Sequence, residues 1–424
     1  MKSLVAVGGT FGVPDAVSAF RSMEAAMALI RQSVRGVLPR YESLDAWRGI
    51  ACLMVIMFHA TLDAPTTGGV AAALVAAMRW GWLGVPMFFV ISGYCIAASL
   101  DSHRLRGDSA AVFLARRFWR IYPPYWVLLL ITAAVVALVE GGLQPGFFSA
   151  GDHPIAAPQS LSGSQWLGAI TLSETWRHHL AGSPMRHLLG HSWSLCYEIQ
   201  FYTAAALILW AAPRRLFPAV GFLSVMILLG RHAFWHFAPA SRLDGFVLDG
   251  TWLTFAAGAL VYFQAANKSG INSIATPLFL TAGMAYALRQ PSEPESPLLI
   301  GFGFALLLSF LQPIDRRLAA ARLPRPLSAC GKMGYSLYLV HWPIIKAISQ
   351  ALRLAGVTDA VETLAITLPL SMAASITAAA LFHRYVEKRF SQGFHGRQRR
   401  HSRAPLGRFD NGLSDFAVPK VAVR

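Results

Sequence analysis

The sequence predicts an all-α integral membrane protein of about ten transmembrane helices, with both its N- and C-termini in the cytoplasm. Of the 424 residues, 55% are hydrophobic and only 14% are charged, and the mean hydropathy is +0.46. Because soluble domains carry about 25% charged residues, this chain lacks the polar surface that a soluble protein of its size needs. The third observation is the formal net charge of +16, because an excess of Lys and Arg in cytoplasmic loops sets the orientation of membrane proteins.

The basic surplus does not indicate a nucleic-acid-binding protein. Such domains spread their basic residues over a hydrophilic face, whereas here the few charges stand between long apolar stretches. The same composition excludes an ordinary soluble enzyme and a disordered chain. The partners expected from composition are therefore membrane lipids, with no nucleic acid.

Ten apolar segments approach the roughly 20 residues that a helix needs to cross a bilayer. They are 49–66, 80–100, 120–140, 193–212, 217–236, 246–265, 272–288, 297–313, 333–352 and 361–383. The first, fourth and last are the clearest, while glycine, proline or polar residues interrupt the second and the sixth to eighth. No internal repeat of the kind common in transporters is visible.

The distribution of Lys and Arg supports an even number of spans. With the N-terminus inside, the cytoplasmic segments hold 29 of these residues and the outer segments hold seven. Cytoplasmic loops carry such an excess. The pattern divides the chain into a cytoplasmic segment 1–40, a transmembrane domain 41–390 and a basic cytoplasmic tail 391–424.

One outer segment, 141–192, is much longer than a usual connection, and loops of this length are usually functional or disordered. It holds several tryptophans and histidines: Trp166, Trp176, His178, His179, His187 and His191. These histidines lack the tight spacing of metal ligands, and the four cysteines are scattered through apolar stretches. We therefore predict no metal site.

An ionisable pair lies on the first predicted span. Arg48 stands at its cytoplasmic end, and His59 follows eleven residues later, about 16 Å deeper along a helix that rises 1.5 Å per residue. Ionisable side chains at that depth are costly and mark functional sites. A neutral imidazole can act as a general base. The competing interpretation is a structural histidine that bridges two helices.

Further candidates are a group of arginines and a glutamate. Arg116, Arg117 and Arg120 lie within one or two turns at the cytoplasmic face, where they can bind phosphate or simply anchor lipid headgroups. Glu198 opens the fourth span, where it can orient His59 as the carboxylate of a triad does, or pair with an arginine. His341 in the ninth span is interpreted as a packing residue.

Six motifs in order resemble the acyltransferase-3 family of multi-pass membrane acyltransferases. They are Leu44-Asp-Ala-Trp-Arg-Gly with His59, Phe88-Phe-Val-Ile-Ser-Gly, Arg116-Arg-Phe-Trp-Arg-Ile-Tyr-Pro, Trp193-Ser-Leu-Cys-Tyr-Glu-Ile-Gln-Phe-Tyr, Tyr335-Ser-Leu-Tyr-Leu-Val-His-Trp-Pro and Val386-Glu-Lys-Arg-Phe. This chain departs from the family in having Pro86 and Met87 where members often carry an acidic residue. The first 40 residues have no counterpart, and the short tail indicates a stand-alone form.

The resemblance implies ten spans and transfer of an acyl group, often acetyl, from cytoplasmic acyl-CoA to a hydroxyl of a glycan. It implies that Arg48 and His59 are needed for activity and that Arg117 and Arg120 contact CoA. We expect Glu198 to polarise His59 for catalysis, with Arg116 joining the arginines that bind the CoA phosphates. Direct transfer and an acyl-histidine relay both remain open.

The predicted enzyme acts in the inner (plasma) membrane and has no permanently bound cofactor. Its acceptor would be exopolysaccharide, lipopolysaccharide or a lipid-linked oligosaccharide. The alternative from another functional class is a transporter or flippase of a glycan or lipid-linked precursor, which would also use polar groups within the membrane.

Overall fold

The structure is a computed structural model that describes residues 38–151, 153–182, 184–237, 245–246, 249–267, 269–289, 297–321 and 324–391. The predicted segment 1–40 and tail 391–424 lie outside this part, apart from residues 38–40 and 391. Within it the chain is helical and contains no β-strand. Its helices are α1 (Leu44–Ala60), α2 (Val70–Arg79), α3 (Gly84–Arg106), α4 (Ala110–Leu138), α5 (Gly163–Thr171), α6 (Glu174–Ala181), α7 (Trp193–Ala211), α8 (Leu216–Phe237), α9 (Thr251–Ala266), α10 (Gly270–Leu288), α11 (Pro297–Leu311), α12 (Asp315–Ala320), α13 (Pro324–Lys332), α14 (Gly334–Leu354) and α15 (Leu368–Phe382).

Each of the ten apolar segments coincides with a helix, and the all-α multi-pass prediction is confirmed. Six helical stretches of the described chain are long and apolar enough to cross a membrane: Val70–Arg106, Ala110–Leu143, Pro213–Ala233, Gly270–Leu288, Pro297–Ala320 and Ala360–Ser391. The helices α1, α7, α9 and α14 are not among them. The number of ten spans therefore stays a prediction.

Two of these four helices are short, and two carry polar side chains. Helix α1 has 17 residues and α9 has 16, which is below the roughly 20 residues of a full span. Helix α7 includes Glu198, and α14 includes His341 and Lys346. The first and fourth segments, two of the three that are clearest in the sequence, correspond to α1 and α7. Helix α1 falls short of the requirement for a span in length, and α7 falls short in composition.

The start of α1 is fixed by a buried carboxylate. Asp315, only 4% exposed, accepts hydrogen bonds from the backbone N–H groups of Glu42 and Ser43, at 2.5 and 3.0 Å, and from the Ser43 hydroxyl at 2.6 Å. These donors lie in the turn just before α1, whose N-cap residue is Ser43. This cap sets the position of α1 and of the ionisable side chains that it carries.

Glycines let α1 cross α13 at backbone contact. A Cβ atom on Gly331 would lie 1.7 Å from the Asp45 carbonyl oxygen, and one on Gly49 would lie 2.0 Å from the Leu327 carbonyl oxygen. Small residues at helix crossings allow such close approach within membranes. Helix α13 therefore packs directly across the N-terminal half of α1.

The long outer loop is folded over the helices in its described residues. Three aromatic side chains of α4 donate hydrogen bonds to the last carbonyls of α5: Tyr125 to Ala169 at 2.7 Å, Trp126 to Ile170 at 2.9 Å and Tyr122 to Thr171 at 2.9 Å. These carbonyls have no partners within α5, because helix ends leave them free. The loop is thereby attached to α4, and its Ala150 carbonyl also accepts a hydrogen bond from Lys346 of α14 at 2.7 Å.

Candidate active site

Five of the six predicted site residues line one cavity of about 140 Å³ between α1, α3, α4, α7 and α14. They are Arg48, His59, Arg117, Arg120 and Glu198. Their helices are separated by 50 to 150 residues of sequence. The tertiary structure therefore brings together side chains that the sequence grouped only as separate motifs.

Arg48 is held at the cavity by a neighbouring carboxylate and a neighbouring helix. Its Nη1 atom donates to Asp45 Oδ1 at 2.5 Å, and its Nη2 atom lies 3.4 Å from the Cys95 sulfur. A Cβ atom on Gly334 of α14 would come within 2.9 Å of the Arg48 Cδ atom. The absence of a side chain at Gly334 thus makes room for the arginine stem.

Arg117 and Arg120 present cationic groups to the same cavity, as their spacing of three residues predicts. The Arg117 guanidinium lies over the ring of Tyr202, at 5.2 Å, and over that of Phe113, at 5.5 Å. In the described part of the chain neither arginine has a carboxylate within ion-pair distance. Arg120 is exposed, so its charge is available to a bound anion.

Arg116 takes a different position and does not line the cavity. Its Nη1 atom lies 3.2 Å from His103 Nε2 and 3.5 Å from Asp108 Oδ2. Asp108 also accepts from Arg106 Nε at 2.9 Å. Successive residues of a helix point about 100° apart, so Arg116 faces the turn between α3 and α4 while Arg117 faces the cavity.

Glu198 lies in the cavity but has partners other than His59. Its carboxylate accepts hydrogen bonds from Tyr202 and, at 3.3 Å, from the Ser92 hydroxyl. No hydrogen bond or ion pair joins Glu198 to His59 among the described residues. Glu198 is therefore connected to the arginine side of the cavity through Tyr202, whose ring also contacts Arg117.

The neighbours of His59 are aromatic and imidazole rings of α14. Its ring centroid lies 4.6 Å from that of Trp342 and 5.2 Å from that of His341. His191, just before α7, lies 5.0 Å from His341 and is 6% exposed. The three histidines His59, His191 and His341, which we call the histidine cluster, all line the cavity.

The sequence did not place His341 or His191 in the site. His341 was interpreted as a packing residue, and His191 was one of several loop histidines. The available signal for His341 was its position within the apolar span of α14, where an ionisable group is as costly as at His59. For His191 no local signal existed, because its position depends on how the loop folds back.

The loop histidines His178, His179 and His187 do not line the cavity. His178 and His179 stack with ring centroids 3.8 Å apart. The His187 Nδ1 atom is 3.2 Å from the Ser192 hydroxyl, and burial lowers the pKa of His187 to about 4. Among the described residues, no group of three or more His, Cys, Asp or Glu side chains is arranged to hold a metal ion.

Hydroxyl groups line the wall between the arginines and the histidine cluster. Tyr338 donates to the His191 carbonyl at 2.5 Å, and the Ser194 hydroxyl lies 3.0 Å from the Tyr338 hydroxyl. Tyr335 donates to the Ile121 carbonyl at 2.7 Å. These groups provide polar contacts along the cavity without adding charge.

The cavity therefore has a cationic end and an imidazole end. Arg48 and His59 are eleven residues apart on α1, which separates the two ends by about 16 Å along the helix. Eleven residues are close to three complete turns, so both side chains face the same side of α1. Such a site can bind an elongated ligand with an anionic group at one end and a reactive group at the other.

Comparison with known proteins identifies the family. Residues 41–384 match the acyltransferase domain of the acyltransferase-3 type. A protein named membrane-bound transacylase BcsY, from Komagataeibacter xylinus, is 28% identical over 318 residues, which cover 72% of each chain. The acyltransferase MdmB of Streptomyces mycarofaciens is 26% identical over 376 residues, which cover 82% of this chain and 91% of MdmB.

A third relative is longer than this chain. The O-acetyltransferase OatA of Staphylococcus aureus is 25% identical over 339 residues, which cover 74% of this chain. The match spans only about half of OatA, 52% of its length. No solved structure matches this chain.

Proposed function

The chain belongs to the acyltransferase-3 family and is an acyltransferase, and we propose that it transfers an acyl group from cytoplasmic acyl-CoA to a carbohydrate hydroxyl. Acetyl is the expected acyl group, and the expected acceptor is a cell-surface or lipid-linked glycan. Two relatives, the O-acetyltransferase OatA and the transacylase BcsY, are named for acyl transfer, which supports this proposal.

The proposal rests on one observation: a single cavity has guanidinium groups at one end and imidazole rings at the other. Arg117 and Arg120 offer guanidinium groups that have no carboxylate within 4 Å in the described chain, and guanidinium binds phosphate through strong charge-assisted hydrogen bonds. Arg48 lies on the same cavity. Acyl-CoA fits this arrangement, because its phosphates and its thioester stand at opposite ends of a long flexible arm.

His59 is then the general base. The acceptor O–H proton moves to a ring nitrogen of His59 while the acceptor oxygen attacks the thioester carbonyl carbon. The C–S bond breaks, and the departing CoA sulfur takes the proton back from His59. The sum is one ester formed, one thioester broken and one thiol released, with no other reactant.

Glu198 and Arg116 have supporting roles in this proposal. Glu198 organises Tyr202 and Ser92 beside the arginines, so it shapes the donor end and does not contact the base. Arg116 belongs to the ion-pair group around Asp108 at the turn between α3 and α4. There it anchors the cytoplasmic face and attracts the anionic donor from a distance.

The membrane arrangement that we propose has all ten helices in the inner membrane and both termini in the cytoplasm. The excess of Lys and Arg in the segments assigned to the cytoplasmic side supports this orientation. It places Arg117 and Arg120 toward the compartment that holds acyl-CoA. The folded outer loop then covers the histidine cluster from the acceptor side.

The test uses cells in which the gene is deleted and then restored. Glycan mass spectrometry should show a mass increment that disappears on deletion and returns with the wild-type gene. His59→Ala should not restore it, whereas His179→Ala, which changes an exposed histidine outside the cavity, should. Membrane abundance of each variant is measured in parallel. Restoration of the increment by His59→Ala would refute the proposed mechanism, and an unchanged glycan after deletion would refute the proposed function.

A further inference from the structure

Two backbone carbonyls fix the tautomer of the neutral His341 ring. Its Nδ1 atom lies 2.6 Å from the Tyr338 carbonyl and 3.1 Å from the Leu337 carbonyl. Carbonyl oxygens only accept hydrogen bonds, so Nδ1 must carry the hydrogen. In the neutral imidazole, Nε2 therefore carries a lone pair and can only accept.

That lone pair has no partner in the described part of the chain. His341 is 1% exposed, and its Nε2 atom is enclosed without a hydrogen bond. A buried polar atom without a partner costs roughly 1–3 kcal/mol. Packing alone does not account for such a histidine, since an apolar side chain of similar size would avoid the cost.

The imidazole rings closest to His341 are those of His191, at 5.0 Å between centroids, and of His59, and only His59 is the proposed base. The rings of His59 and His341 lie 5.2 Å apart between centroids, and the Nδ1 atom of His59 is itself enclosed without a hydrogen-bond partner. The carboxylate of Glu198 is bound to Tyr202 and Ser92. His341 is thus the neighbour with a free acceptor atom beside the proposed base.

We propose that His341 is a positioning residue that accepts a hydrogen bond from His59 through Nε2 and stabilises the imidazolium formed during acyl transfer. The inference rests on the proposed function of His59 as general base. An acceptor-only Nε2 selects the tautomer of His59 in which the facing nitrogen carries hydrogen. The other ring nitrogen is then free to take the proton from the acceptor hydroxyl.

A neutral imidazole suits this role better than a carboxylate in the interior of a helical bundle. A buried carboxylate pays a large desolvation cost and would hold His59 in its charged form. An imidazolium cannot remove a proton from a hydroxyl. A neutral acceptor leaves His59 neutral at rest and stabilises it only when the proton arrives.

The experiment compares variants of the full-length protein in lipid nanodiscs. The donor is acetyl-CoA, and the acceptor is envelope polysaccharide from the deletion strain, with release of the CoA thiol as the readout. His341→Leu should lower kcat about 100-fold, a loss typical of general-base catalysis, and leave the KM for acetyl-CoA within about twofold. His341→Gln, which keeps an acceptor oxygen near the Nε2 position, should recover at least about tenfold of that loss.

The matched control is His179→Leu, which makes the same substitution at an exposed histidine that does not line the cavity. Its kcat should stay close to wild type. If His341→Leu keeps the wild-type kcat, or if it raises the KM for acetyl-CoA as much as it lowers kcat, the positioning role is wrong.

A rescue measurement covers the case in which the Leu and Gln variants fold poorly. In His341→Ala, added imidazole should raise kcat, whereas pyrrole, a ring of the same size with an N–H but no acceptor nitrogen, should not. Equal rescue by both rings would show that His341 only fills space. A wild-type protein that releases no CoA in response to the acceptor would instead refute the proposed function, and with it this inference.

Discussion

Three of the five helices that line the cavity differ from the helices on the outside of the bundle. The inner helices α1, α7 and α14 have 8 of 17, 9 of 19 and 11 of 21 residues buried. The outer helices α8, α10 and α15 lie in stretches whose most apolar windows are only 11%, 17% and 22% buried. The outer helices pass the length and hydropathy requirement for a membrane span, and the inner ones do not.

This difference shows where a membrane protein can place costly groups. A charged or polar side chain facing lipid is unfavourable, but the same side chain inside the bundle can find polar neighbours. Arg48, His59, Glu198 and His341 all lie on inner helices and all line the cavity. Hydropathy therefore identifies the outer helices and the cavity helices α3 and α4, but not the inner helices α1, α7 and α14.

The strongest test concerns the cationic end of the inner cavity. Arg117→Gln with Arg120→Gln should raise the KM for acetyl-CoA about 100-fold, because each charge-assisted hydrogen bond to phosphate contributes roughly 1.5–3 kcal/mol. The neighbouring Arg116→Gln, which changes an arginine outside the cavity, should raise it less than about threefold. Steady-state kinetics in nanodiscs measures both. Equal effects of the pair and of Arg116 would mean that the arginines act only through general surface charge.

A charge introduced on the outer shell should reduce insertion of the protein into the membrane and leave acyl transfer unchanged. Leu278 of α10 is 64% exposed, and Leu278→Lys should cost about 3 kcal/mol at the centre of a span, which lowers the amount of protein in the membrane fraction. Activity per inserted molecule should stay unchanged. Leu278→Ile is the control, and quantitative immunoblotting is the measurement. Normal insertion of the Lys variant would contradict the assignment of α10 to the lipid-facing shell.

A glycine on an inner helix and one on an outer helix provide a smaller test. Gly334→Ala should push the Arg48 side chain away from the cavity, because the new Cβ atom would lie 2.9 Å from Arg48 Cδ, and we expect about a tenfold loss of kcat/KM. Gly221→Ala on α8 meets no atom within 4 Å and should be neutral or stabilising by up to about 1 kcal/mol. Acyl transfer and thermal unfolding distinguish them, and a loss of activity in both would remove the contrast.

The smallest expected effect is at Glu198. Glu198→Gln keeps a hydrogen-bond acceptor for Tyr202 and Ser92, so the KM for acetyl-CoA should change about threefold and kcat less. If Glu198 instead orients His59 during the reaction, kcat should fall by about 100-fold or more. The kcat of this one variant decides between the observed contacts and the triad-like role expected from the sequence.

Much of the fold followed from the sequence because it depends on local properties. Apolar segments of the right length predicted a helix at each of ten places, and a structural helix occurs at all ten. The depth of His59 relative to Arg48, and the common helix side of Arg117 and Arg120, followed from helical geometry. The sequence could not separate Arg116 from Arg117 in function, because both stand in the same basic motif.

By itself the sequence thus determined an all-helical membrane protein, its family, and the residues that its motifs mark. Only the tertiary structure decided that Glu198 contacts Tyr202 and Ser92, that Arg116 leaves the cavity, and that His341 and His191 stand beside His59. The reason is physical: about half of the residues of each inner helix are buried, and the hydrophobic pattern does not show which neighbour a buried side chain meets. His341 contacts His59 and His191 across more than 100 positions of sequence, so only packing of the whole bundle sets these contacts.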